Sequence, residues 1–478
     1  MTQCNQRAFG FHRTGRRQVV AKFDGGPISS DGGALLLGQV ERGTGILAQF
    51  ARCFTDHRDP ELIEHPVAQL VGQRVYGLAL GYEDLNDHDA LRHDPLLAAL
   101  VGCADPRGGK RRRKADRGKA LAGKSTLNRL ELTPVGAGAA SRYKKITFSV
   151  RRFERLLTDL FIQAHAASGG PPARIVLDFD ATDDPIHGDQ LGKFFHGYYD
   201  CYCYLPLYVT CGEHVLCARL RPSNIDASAG SLSVLRRIVE QIREHWPQVR
   251  IIVRGDSGFC RENLMRWCEG NGVDYLFGLA KNARLLRAIG RPMHEAKQLC
   301  EQTGQAARVF TDLDYRTRKS WSRSRRIVAK AEHLPGTRGE NPRFVVSSIS
   351  AEELGAQTLY EDHYCPRGDM ENRIKEQQLH LFADRTSAAT MRANQLRLAF
   401  STIAYTLLSA LRRLGLAGTS MARAQCGTIR TRLLKIGARV RVTARKVWVS
   451  LSQSFPLQDL FAAAYHRLTL TPAYPLGP

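Results

Sequence analysis

The chain has 478 residues, 43% of them hydrophobic, with 69 Lys and Arg against 46 Asp and Glu, a net charge of +23. That apolar content supports sizeable cores and excludes wholesale disorder, and the absence of any run of 18 apolar residues disfavours a membrane span. The opening MTQCNQRAFGFHRTGRRQVV has no signal-peptide stretch, and twelve scattered cysteines without a CxxC pair fit a reducing, cytoplasmic setting; so large a positive charge suits a polyanion better than a small-molecule substrate.

In chain order, residues 18–23 read as a strand and Gly25-Gly26-Pro27 as a turn. Ser29-Ser30-Asp31 offers an N-cap for a helix through Leu35 to Val40. Apolar helical periodicity continues over 61–82 and 85–101, and a Gly- and Arg-rich loop at 105–126 leads into a helix from Ser125. Residues 1–145 are therefore expected to form a mostly helical N-terminal domain. Strands are expected at 175–180, 204–210, 215–220, 250–254 and 274–279, and helices at 230–245 and 261–271. This β-β-β-α-β-α-β order matches a ribonuclease-H-like α/β core, assigned to 146–281 and resumed at 346–414. Residues 282–345 interrupt it with basic, β-type runs and read as a β-rich insertion. Helices follow at 370–382 and 391–414. The C-terminal region, 415–478, has strand-like runs at 440–442 and 446–449 and an amphipathic helix near 457–467.

The charge is concentrated. Residues 101–150 and 401–450 each carry a net +10, and 311–330 a net +5, so the remainder is close to neutral. Three such runs point to nucleic acid, held through phosphate contacts that weaken with salt.

Three carboxylates stand out by position. Asp180 and Asp256 close buried strands, and Glu371 lies on a helix after the insertion. Carboxylates converging at a sheet edge suit two Mg²⁺ ions, which take hard oxygen ligands and promote in-line displacement at phosphorus. Asp178 shares the strand face of Asp180 and competes with it for the role of first ligand; Asp183 and Asp184 are further acids nearby.

The local sequences Asp180-Ala181-Thr182, Arg254-Gly255-Asp256-Ser257-Gly258-Phe259 and Tyr364-Cys365-Pro366-Arg367-Gly368-Asp369-Met370-Glu371 resemble the DDE transposases of bacterial insertion sequences. So do Phe23-Asp24-Gly25-Gly26-Pro27 and Phe194-Phe195-His196-Gly197-Tyr198-Tyr199-Asp200. The chain is most similar to the family numbered thirteen-eighty, in the clan with a β-rich insertion and a Tyr-Arg-Glu motif. The resemblance implies a two-metal polynucleotidyl transferase and endonuclease, with Asp180, Asp256 and Glu371 as catalytic residues and ligands of Mg²⁺, or of Mn²⁺ in its place. It implies cut-and-paste transposition: binding of terminal inverted repeats, strand cleavage, and joining to target DNA, by a homodimer on double-stranded DNA in the bacterial nucleoid. Thr182, Tyr364 and Arg367 would contact DNA. The motif's lysine position is Gln378 here, so Lys375, on the same helix face as Gln378, is the substitute DNA contact. Trp321 in the insertion has two readings, a ring that stacks on a base at the cleavage site and an ordinary packed residue.

Other signals are weaker. Gly118 to Ser125 fits the P-loop pattern, but no hydrophobic strand precedes it, so no ATP site is expected and Lys124 is read with Arg111, Arg112 and Arg113 as a DNA contact. Cys201, Cys203, Cys211 and Cys217 near His196 fit no zinc template. His187 and His196 are open to substrate-contacting or structural roles. The rival readings are an inactive or domesticated DNA-binding derivative and a metal-free carboxylate-pair hydrolase, which would leave the localised charge without a use.

Overall fold

A computed structural model describes residues 8–471, 473 and 474. These divide into two compact units: 8–149, 380–382, 403–471 and 473 in the first, and 150–379, 383–402 and 474 in the second.

The first unit is mainly helical. Leu35–Thr44 buries Leu36, Leu37 and Val40 at a three-to-four-residue apolar spacing, whereas Val67–Ala79 is buried on every side from Leu70 onward. The strand Ala438–Val442 pairs with Val447–Leu451 and also with Ile28–Ser29, so residues far apart in sequence share one small sheet. Gly33 allows this closeness: a Cβ there would lie 2.1 Å from the Leu433 carbonyl oxygen. Of the N-cap candidates Ser29, Ser30 and Asp31, the last stands at the N-cap position of the helical turn Gly32–Ala34. Asp31 makes no side-chain cap bond; its carboxylate accepts a hydrogen bond from the Tyr82 hydroxyl at 2.7 Å and pairs with Lys435 at 2.6 Å.

The second unit is built on one mixed sheet. Its long strands are β1 (Arg174–Ala181), β2 (Leu207–Cys211), β3 (His214–Arg219), β4 (Arg250–Gly255), β5 (Asp274–Leu279), β6 (Ala307–Tyr315), β7 (Arg325–Leu334) and β8 (Arg343–Ser347). They lie in the order β3-β2-β1-β4-β5-β8-β7-β6, with a short ninth strand beside β7. The pairs β3/β2 and β2/β1 are antiparallel, β1/β4 and β4/β5 are parallel, and the rest are antiparallel. Helices α1 (Val150–Ala167), α2 (Ser231–His245) and α3 (Glu262–Gly270) supply apolar side chains such as Phe161, Ile238 and Leu264 to the core on one face, where Ile175, Leu177, Phe179, Ile251 and Val253 point. The alternate residues, Val176 and Ile252 among them, join a smaller cluster with Leu276, Val328, Val345 and Leu359.

The region 282–345, read as a β-rich insertion, holds helices as well as strands. It opens with two helices, Ala283–Ala288 and Gly290–Thr303. Asn282 caps the first, accepting from the amides of Arg284 and Leu285. Leu285, Ile289, Met293, Ala296 and Cys300 form a buried stripe at helical spacing, obscured in the sequence by intervening charges. The strands that follow extend the main sheet beyond β5.

Candidate active site

Strand register brings the first two carboxylates together. β1 and β4 run parallel, with Arg254 beside Asp178 and Gly255 beside Phe179. Side chains alternate along each strand, so Asp180 and Asp256, two residues beyond that Asp178–Arg254 pair, share its face at neighbouring strand ends. Gly255 is required at the bend, because a Cβ there would meet the Cβ of Phe259 at 2.9 Å. Phe259 packs edge-on against Phe179, fixing the turn that carries Asp256. The third acid comes from helix α4 (Gly368–Leu381). Glu371 lies one helical turn after Arg367, and the two are joined at 3.2 Å.

Asp180, Thr182, Asp256, Arg367, Glu371, Lys375 and Gln378 line one cavity of about 560 Å³. Asp180 Oδ1 accepts from the Ala181 amide at 2.9 Å, and Asp256 Oδ1 from the Gly258 amide at 2.8 Å. Arg367 Nη1 stands 3.9 Å from Asp180 Oδ2. Burial raises the Asp180 carboxyl to about 7; Arg367 counters this, while Asp256 and Glu371 add to it. Three carboxylates thus face a single guanidinium. Their oxygen donors and surplus negative charge fit a hard divalent cation. Among the described residues no three His, Cys, Asp or Glu side chains already close on a single point; Asp180, Asp256 and Glu371 surround the cavity instead.

The family described as Transposase DDE domain group 1 matches residues 11–473. The chain belongs to that family of DDE transposases. No curated protein matches it.

Among the residues expected to serve such a transposase, Asp180, Asp256, Glu371, Thr182, Arg367 and Lys375 meet at the cavity. Asp178 does not. Arg254 holds its carboxylate with two hydrogen bonds of 2.6 and 2.7 Å, side by side on paired strands, and donates a third, of 2.6 Å, to the His363 carbonyl. Asp184 is fully buried, and burial keeps its carboxyl well above the ordinary range. Gln378 donates to it at 3.3 Å and to the Asp183 carbonyl at 3.2 Å. Tyr364 lies just outside the cavity lining, pressed on β5: a Cβ on Gly278 would be 2.6 Å from its hydroxyl.

Of the two readings of Trp321, its surroundings favour the packed residue. It is only 5% exposed, sits edge-on to Tyr315, and carries the Arg325 guanidinium 5.4 Å from its ring centre. Arg111, Arg112, Arg113 and Lys124 belong to the first unit. Arg111 is engaged by Glu64 at 3.1 Å and His65 at 2.8 Å, whereas Arg112 and Arg113 are exposed. Lys124 reaches Asp89 and Asn86, and its amide donates to Asp89, placing a carboxylate where a P-loop would hold phosphate. His196 lines the cavity and His187 is exposed. Tyr198, Tyr199, Ser257 and Gly258 also line the cavity, without having been singled out as site residues by the sequence. The clustering of aromatic residues over 194–202 is the signal that marks the first two.

No helix among the described residues is long and apolar enough to cross a membrane.

Proposed function

We propose that this DDE transposase moves an insertion sequence of the family numbered thirteen-eighty by cut-and-paste, cutting at terminal inverted repeats and joining 3′-ends to target DNA. The observation that carries the reading is the meeting of Asp180, Asp256 and Glu371, from two adjacent strand ends and one helix, around a cavity that also holds Arg367 and Lys375. The ribonuclease-H-like reading is supported by the run β3-β2-β1-β4-β5, with its antiparallel pairs followed by parallel ones. Asp180, Asp256 and Glu371 would hold two Mg²⁺ ions, with Mn²⁺ as a substitute. When bound, these supply polarisation of the attacking oxygen and neutralisation at the leaving oxygen.

The chain's own groups do the rest. Arg367 offers a rigid donor fork to phosphate oxygens, and Lys375 a mobile point charge. Tyr364, wedged on Gly278, fixes the segment that delivers Arg367. The Gly258 amide orients Asp256, and the Ala181 amide orients Asp180. Exposed Arg112 and Arg113, with Lys124, grip the DNA backbone, and two copies pair the two ends. Incubation of the protein with DNA carrying the element's ends should give strand cleavage in Mg²⁺ and none in EDTA. End binding without any metal-dependent cleavage would refute the reading.

A further inference from the structure

Between β1 and β2 the chain forms a small ribbon. Phe194–His196 pairs with Cys201–Tyr204, which also pairs with Asp184–Pro185. Its turn is closed by Asp200 in the left-handed region, at φ 53°. The ribbon leaves several of its rings in water. Phe195 and Tyr202, cross-strand partners 5.6 Å apart, are each 53% exposed, and Tyr198 is 85% exposed. A grouped exposure of this kind marks an interaction surface rather than the scatter usual on a protein exterior.

Two observations identify what it meets. The first is continuity with the cavity: His196, Tyr198 and Tyr199 line the same space as Asp180, Asp256 and Glu371. Tyr199 roots the ribbon there, its hydroxyl donating to the Ala181 carbonyl at 3.1 Å, one residue from Asp180. Tyr198 stands edge-on to it at 5.0 Å, anchored on one side and open on the other. The second is chemical. Lys193 Nζ lies 5.6 Å from the Tyr202 ring centre while paired with Asp189 at 2.8 Å, so the rings are accompanied by an ion-paired lysine and not by a carboxylate alone. Exposed rings beside a site for phosphate chemistry suit bases that stack by their faces, whatever their sequence. Bases inside a duplex hide those faces, so exposed rings of this kind match unpaired nucleotides.

We propose that the ribbon of residues 194–202 is a stacking platform for unpaired bases of the DNA strand next to the scissile phosphate, an inference that rests on the DNA-cleaving function proposed above. It lies outside the insertion, where Trp321 is already packed.

The test compares binding of a fluorescent oligodeoxythymidylate of about twelve nucleotides with that of an arbitrary-sequence duplex. Phe195→Ala, Tyr198→Ala and Tyr202→Ala should each weaken oligonucleotide binding about fivefold or more, from the loss of one stacked base. Tyr198→Phe, which keeps the ring, should bind like the unaltered protein, and duplex binding should be unchanged throughout. Undiminished oligonucleotide binding in all three alanine variants would overturn the platform. So would equal losses on both probes, or a change of oligomeric state in light scattering without a change in oligonucleotide binding, which would make the ribbon a contact between copies. If the unaltered protein binds the duplex while the aromatic variants show no defect, the platform alone fails. If it binds neither probe, the DNA-cleaving function fails as well.

Discussion

Replacing Arg254 with Met tests the division of labour between Asp178 and Asp180. Asp178 is buried, and its carboxylate takes two short hydrogen bonds from Arg254. Burial pushes this carboxyl up, against the pull of Arg254. Truncating Arg254 leaves a buried, uncompensated charge, a loss of about 3–5 kcal/mol. Protonation sets a ceiling on that loss: neutralising a carboxyl of ordinary pKa 3.8 takes about 5 kcal/mol at pH 7.5 but only about 2 kcal/mol at pH 5.5. The lost bond to the His363 carbonyl adds about 1 kcal/mol at either pH. In the variant the folded-state carboxyl lies above its unfolded value. The penalty is therefore small near pH 4 and grows as pH rises toward the folded value. Urea unfolding followed by tryptophan fluorescence is a suitable assay, because Trp246, Trp267 and Trp321 all lie in the second unit. Arg254→Met should lose about 3–5 kcal/mol at pH 7.5 and clearly less at pH 5.5, and Asp178→Leu combined with Arg254→Met should recover most of the loss. A pH-independent loss below about 1 kcal/mol, or no recovery in the double variant, would refute the pairing and return Asp178 to contention as a metal ligand.

Further expectations concern the site and its supports. Gly278→Ala should displace the Tyr364 hydroxyl and lower cleavage by up to about a hundredfold in a single-turnover assay, with DNA binding retained. Trp321→Ala should cost about 3–5 kcal/mol in unfolding, whereas Trp321→Phe should cleave like the unaltered protein; a cleavage defect in the stable Phe variant would restore a DNA role. Gly33→Ala should destabilise the first unit by about 1–3 kcal/mol in thermal unfolding, because the Leu433 backbone must move. Asp180 ionises near 7, above its ordinary 3.8, so in EDTA its ionisation removes stability as pH rises through that interval. Asp180→Asn should therefore gain melting temperature relative to the unaltered protein from pH 5 to pH 8, and Mg²⁺ should raise the melting temperature of the unaltered protein only.

Local pattern made much of the second unit legible. The strands ending at Asp180 and near Asp256 carry short continuous apolar runs, Ile175-Val176-Leu177 and Ile251-Ile252-Val253, and α2 and α3 carry helical stripes, so their positions follow from the sequence within a few residues. The tips where Asp180 and Asp256 stand are legible for the same reason. What escapes local pattern is pairing. Nothing in Asp178-Phe179-Asp180 says which acid a cation elsewhere will occupy; the parallel register of Arg254 with Asp178 decides it. The union of residues 28–29 with 438–439, and the pairing of β8 with β5 through which β7 and β6 join the sheet, are likewise long-range. Trp321 shows the converse. Its basic surroundings suggest exposure, yet Arg325 beside it is itself buried, bonded to Glu262 and Glu269, and helps to pack the ring.

The central claim is that Asp180, Asp256 and Glu371 act together on DNA. Its most direct test is the rate of Mg²⁺-dependent strand cleavage at the element's ends by Asp180→Ala, Asp256→Ala and Glu371→Ala, measured beside the affinity of each for the same DNA. All three should lose cleavage while end binding stays near that of the unaltered protein. Cleavage at the normal rate by any one of them would remove that residue from the site and contradict the account.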